Sequence, residues 1–117
     1  MHRRIEVVEA VPFTKDLKKL AKKYRHAADL AVLVSKLVDG ETSGDRIPGT
    51  EYVIYKERLP NTSANRGEQG GFRVIYYVQL QDRIVLLTYS KIDHADVPVE
   101  VIRRIVKEHL DAELPEE

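Results

Sequence analysis

Phe72-Arg73-Val74-Ile75-Tyr76-Tyr77-Val78, then Gln81-Asp82-Arg83, then Ile84-Val85-Leu86-Leu87-Thr88-Tyr89 is the stretch that decides the fold. Both arms are rich in β-branched and aromatic residues, which suit a pleated, packed surface. The short polar segment between them predicts a β-hairpin. The second arm is apolar on both faces, as a central buried strand should be.

Reading back from the hairpin, Pro60 to Gly71 is a loop with Gly67, Gly70 and Gly71, and Tyr52 to Leu59 is a further strand. The polar segment Glu41 to Thr50, with Gly44, Pro48 and Gly49, reads as another loop. Before it, Ala27, Leu30, Ala31, Val34, Leu37 and Val38 form one helical stripe that ends at Gly40, a residue suited to a helix C-terminus. Phe13, Leu17, Leu20, Ala21 and Tyr24 form an earlier stripe, with Thr14 as the expected cap and Asp16 in the first turn. A short connection around Arg25-His26 makes the two helices an antiparallel hairpin. Ile5-Glu6-Val7-Val8 is a first strand. After the β-hairpin, Asp96-Val97-Pro98 announces a last helix with the stripe Ile102, Ile105, Val106, His109 and Leu110. The order β-α-α-β-β-β-α predicts one α+β domain spanning residues 1–117: an antiparallel sheet, an N-terminal helical hairpin and a C-terminal helix.

At 117 residues the chain is long enough to bury a core without covalent staples. It has no cysteine, which excludes disulfides and thiolate metal sites. His2, His26, His94 and His109 lack metal-ligand spacing, so neither metal nor cofactor is expected. No apolar run approaches a membrane span, and Met1-His2-Arg3-Arg4-Ile5-Glu6 lacks the apolar core of a signal peptide, so the expected location is the cytoplasm. The formal net charge is zero, which argues against a uniformly basic nucleic-acid binder. The charge is unevenly placed, however. Residues 1–91 hold 16 Lys and Arg against 11 Asp and Glu, and residues 92–117 hold 3 against 8. A basic body with an acidic tail can engage a polyanion on one face; ordinary variation of surface charge accounts for the same numbers equally well.

Strand alternation puts Lys56 and Arg58 on one face. Arg73 starts the next strand across the Pro60–Gly71 loop, and Lys91 ends the strand after that, so the meander gathers Arg58, Arg73 and Lys91 at one edge of the sheet. Whether Arg73 and Lys91 share a face depends on register, since a slip of one residue in the Gln81–Arg83 turn separates them. Such a cationic edge suits a phosphodiester and the extra negative charge of its transition state. Solvated strand-end charges are the plain alternative for Lys56 and Arg58. Arg73 leads into an apolar strand, so it needs an anion, either a ligand or an acidic neighbour such as Glu57 or Asp93.

Gly70-Gly71-Phe72-Arg73-Val74-Ile75-Tyr76-Tyr77, followed after a turn by Ile84 to Lys91, resembles the core of the RelE/HigB-type toxins of toxin–antitoxin systems. Phe13-Thr14-Lys15-Asp16-Leu17-Lys18-Lys19-Leu20 and Gly44-Asp45-Arg46-Ile47-Pro48-Gly49 fit the same pattern, so the resemblance covers roughly Ile5 to Leu110. It implies a small toxin that cuts messenger RNA, often on the ribosome, without metal, and that a partner antitoxin, expected to be of helix-turn-helix type, neutralises. It further implies that Arg73 holds the phosphate and that Lys56 and Arg58 stand beside it, the lysine as candidate base. Lys91 completes the candidate catalytic set, and Arg66, Tyr89 and His94 are candidate RNA contacts. Three positions depart from the family pattern: Ile92 stands where the best-known members have arginine, Ile54 where they have lysine, and no C-terminal residue clearly matches their base-stacking aromatic. The same resemblance admits a second activity, toxicity by binding alone, as the ParE branch acts on DNA gyrase.

Overall fold

A computed structural model of the chain describes residues 4–22, 27–42, 44–59, 71–91 and 96–114. The elements are β1 (Glu6–Glu9), α1 (Val11–Ala21), α2 (Ala27–Val38), β2 (Asp45–Arg46), β3 (Ile54–Leu59), β4 (Phe72–Leu80), β5 (Arg83–Lys91) and α3 (Val99–Glu113). The fold is mixed α+β, with one five-stranded sheet in the order β1-β5-β4-β3-β2. The expected hairpin is its centre, and β5 is buried from Ile84 to Tyr89.

Two expectations about the sheet are corrected. It is mixed rather than antiparallel, because β1 pairs with β5 in parallel register. Two helices separate β1 from the other strands, and a connection of that length permits a parallel return that a tight turn forbids. The polar segment before β3 also holds a short strand, β2, paired with Lys56 and Tyr55. Gly44 makes that approach possible. Its φ is +99°, a conformation that side chains rarely adopt, and an added Cβ would stand 2.4 Å from the Lys56 carbonyl oxygen.

Helices cover both faces. Phe13 of α1 and Leu33 and Leu37 of α2 pack against Phe72, Val74, Tyr76, Ile84, Leu86 and Tyr89. Ile102, Ile105 and Val106 of α3 pack on the other face, against Ile54, Ile75, Tyr77, Val85 and Leu87. In α3 the buried residues Ile102, Ile105 and Val106 belong to the expected stripe, whereas α2 buries Leu33, outside its expected stripe, with Leu37 and leaves Ala31 exposed.

The helix ends differ from expectation in two places. α1 begins at Val11 with Ala10 at the cap position, and the Thr14 hydroxyl donates to Glu9 Oε1 at 2.7 Å instead of capping the helix. α3 begins after Pro98, and Asp96 turns to the sheet instead of the helix. Gly40 does end α2 as expected: its N–H reaches the Leu37 carbonyl and the Glu41 N–H reaches that of Lys36, a Schellman closure at φ +88°. The Arg25-His26 connection lies outside the described residues. Among the described residues no helix is long and apolar enough to cross a membrane.

Candidate functional site

Cross-strand pairing sets which cations meet. Arg58 lies opposite Arg73, and Lys56 lies opposite Ile75, one pleat further along the same face. The short strand β2 brings Asp45 opposite Lys56. Together with Asp96, these residues line a cleft of about 290 Å³ at the end of β3 and the start of β4. The Arg73 side chain is 11% exposed, the most enclosed charge in the cleft, against 31% for Lys56. Burial of this kind costs a guanidinium its hydration unless an anion faces it. Asp96 supplies one: its Oδ1 is 3.2 Å from Arg73 Nε and 3.6 Å from Lys56 Nζ. Among the described residues an acidic neighbour of Arg73 is thus Asp96, whereas Glu57 pairs with Val74 on the opposite face; Asp93, the other expected neighbour, lies outside the described residues.

Lys91 does not join the cluster. β4 ends at Leu80 and β5 starts at Arg83, so the turn is Gln81-Asp82, one residue shorter than the three expected. The ladder's two register shifts, between Ile75 and Tyr76 and between Val78 and Leu80, offset each other, so this shorter turn separates the two side chains. Arg73 pairs with Ser90, and Lys91 pairs with Phe72, over whose ring its ammonium sits at 5.8 Å from the centroid.

Tyr89 is not a base-stacking platform either. It is 2% exposed, with its ring centroid 5.6 Å from Phe13 and 5.4 Å from Phe72. Burial, with the Asp29 carboxylate nearby, pushes its hydroxyl well above the ordinary tyrosine range. Tyr76 and Tyr77 are both core residues, facing Tyr55 and Tyr52 respectively. Arg66 and His94, the other expected RNA contacts, lie outside the described residues, as does Ile92.

The sequence reading missed Asp45 and Asp96 as cleft residues. Asp45 sits in a polar segment with no periodicity to orient it. Asp96 stands two residues before a proline, the pattern of a helix cap, and that pattern conceals its contact across the sheet.

A larger hollow of about 440 Å³ lies along α3, lined by Glu51, Tyr52, Glu100, Arg103, Arg104 and Lys107. There Arg103 Nε is 3.2 Å from Glu51 Oε1, on an exposed pair that neutralises it. The smaller cleft is the better site for an anion, because its arginine is enclosed and pre-set by the sheet. Among the described residues no group of three or more His, Asp or Glu side chains gathers as a metal site would. No protein-family model matches the chain, and no curated protein matches it.

Proposed function

We propose that the chain is a RelE/HigB-type toxin with the RelE-like arrangement of its α+β fold, a metal-independent endoribonuclease that inhibits translation in the cytoplasm, on the ribosome. The observation that carries this reading is the juxtaposition of Lys56, Arg58 and Arg73 on one sheet face around a cleft. It joins the sequence resemblance around Gly70 to Lys91, which rests on different residues for the most part.

The chemistry is transfer of the phosphoryl group within the RNA strand. The 2′-hydroxyl oxygen bonds to the adjacent phosphorus, the bond to the 5′-oxygen breaks, and a 2′,3′-cyclic phosphate and a 5′-hydroxyl remain. One group takes the 2′-hydroxyl proton and another gives a proton to the leaving oxygen. Arg73 is suited to hold the phosphate, because its backbone position is fixed by β3 and β5 on either side. Lys56 is the candidate for the 2′-hydroxyl proton, and Arg58 faces the same charge from the outer edge. A cognate antitoxin, of helix-turn-helix type, would have to cover this cleft or displace an element beside it.

A second reading is favoured by the placement of Lys91 on the opposite face, which leaves the cleft one cation short of the expected set. In that reading the toxin has the same fold but acts by binding, as a gyrase inhibitor does. Expression of the chain alone, followed by primer extension on cellular messenger RNA, tests the two. Growth arrest with new cleavage sites supports the nuclease, whereas intact transcripts with inhibited DNA supercoiling support the binder.

A further inference from the structure

We infer that Asp96 is a resident anion of the cleft, standing where a ligand phosphate oxygen binds, so that a phosphate group enters by displacing it. One carboxylate oxygen, Oδ1, faces both Arg73 Nε and Lys56 Nζ, the position a single bridging phosphate oxygen would take. The three partners are unequally anchored. Arg73 and Lys56 belong to adjacent paired strands, so the backbone holds them at a fixed spacing. Asp96 belongs to the extended residues before α3, and its side chain is 61% exposed.

The exposed, irregular member of an ion-pair cluster is the one that leaves at least cost, since contacts with so wet a carboxylate contribute little to stability. The enclosed arginine, by contrast, gains from an anion at this position, whether carboxylate or phosphate. Asp96 therefore occupies the cleft in the absence of a ligand and competes with whatever anion arrives. Among the described residues the other charged groups facing the site are Arg58, which favours the incoming phosphate, and Asp45, which opposes it from β2. This inference rests on the phosphate-binding half of the proposed function and not on cleavage.

The test is titration of the full-length protein with inorganic pyrophosphate at constant ionic strength, followed by amide NMR shifts at Lys56 and Arg73. Asp96→Asn should bind roughly three- to tenfold more tightly than the unsubstituted chain, the range expected when one or two exposed ion pairs no longer compete. Asp96→Ala should shift affinity in the same direction. Asp45→Asn removes the same charge from the cleft wall but leaves the Arg73 contact in place, and should change affinity less than about twofold. Equal or weaker binding by Asp96→Asn would overturn the inference and make Asp96 an orienting residue for Arg73. An Asp45→Asn gain as large as that of Asp96→Asn would overturn it too, leaving only a general field effect. Cleavage of RNA by the same proteins separates the claims. Tighter pyrophosphate binding without cleavage in any variant sinks the nuclease and spares the inference. Cleavage by the unsubstituted chain, with no affinity gain in Asp96→Asn, does the reverse.

Discussion

Arg73 and Lys91 stand on opposite faces of the sheet: Arg73 is the cross-strand partner of Ser90, and Lys91 that of Phe72. Substituting the two should therefore have different consequences. Lys91→Ala should leave RNA affinity within about twofold, and its loss of the contact with the Phe72 ring should cost at most ~1 kcal/mol, the value of an exposed cation–π pair. Filter binding and a thermal melt check both. A loss of RNA affinity as large as that of Arg73→Ala would show that Lys91 reaches the ligand after all.

RNA binding should weaken with salt despite the zero net charge, because the local field comes from Lys56, Arg58 and Arg73. Single strands give a log–log slope of about −0.7 per phosphate neutralised, so three contacts predict a slope of about −2. Affinity measured at several salt concentrations checks this. A flat response would remove the cleft as an electrostatic binding site.

The Thr88 hydroxyl is buried and has no hydrogen-bond partner in the described residues, on a residue 6% exposed. An unpaired buried hydroxyl costs free energy that a methyl group of similar shape does not. Thr88→Val should stabilise the fold by ~1 kcal/mol, which raises the melting temperature by about 4 °C for a domain of this size. Calorimetry that finds a lower melting temperature would show that the hydroxyl has a partner.

Asp16 closes the sheet where β1 stops. β1 pairs with β5 only as far as Leu86, and the Asp16 carboxylate accepts the Tyr89 N–H at 3.0 Å. Partial burial raises its pKa above 3.8, outweighing the hydrogen bond from Tyr89 and the attraction of Lys19. A raised folded-state pKa favours the protonated form, so this contribution is present below pH 3.8 and is lost as pH rises through the folded value. Asp16→Asn keeps an acceptor and removes that dependence. It should be neutral or mildly stabilising at pH 7, whereas Asp16→Ala should cost ~1 kcal/mol or more by leaving the N–H unpaired. Chemical denaturation at pH 3 and pH 7 checks the sign; equal losses for Asn and Ala would contradict it.

The elements were legible where periodicity speaks. The two-sided apolar run from Ile84 to Tyr89 marked the central strand, and the stripe from Ala27 to Val38 with Gly40 marked α2 and its end. Periodicity does not report register. Whether the turn holds two residues or three decides the face of Lys91, and Gln81-Asp82-Arg83 permits either reading. It is equally silent on non-local polar contacts. Thr14 and Asp96 both carry capping side chains at plausible positions, and both spend them elsewhere, on Glu9 and on the cationic cleft. Tyr89 was misplaced for the same reason: an aromatic at a strand end reads as accessible until Phe13 of a distant helix packs over it. The meeting of Arg58 and Arg73 at one sheet edge follows from meander geometry and is legible in the sequence, whereas the face of Lys91 is not.

The central claim is that Arg73 holds the phosphate that is cut. The direct measurement is cleavage of a defined messenger RNA on programmed ribosomes, in parallel with free RNA, by purified protein and by Arg73→Ala with a matched melting temperature. The account predicts a 2′,3′-cyclic phosphate end and a rate lower by ~10²–10³ for Arg73→Ala, the usual loss for one preorganised charge donor. Cleavage by Arg73→Ala at the unsubstituted rate, with the fold intact, would contradict it.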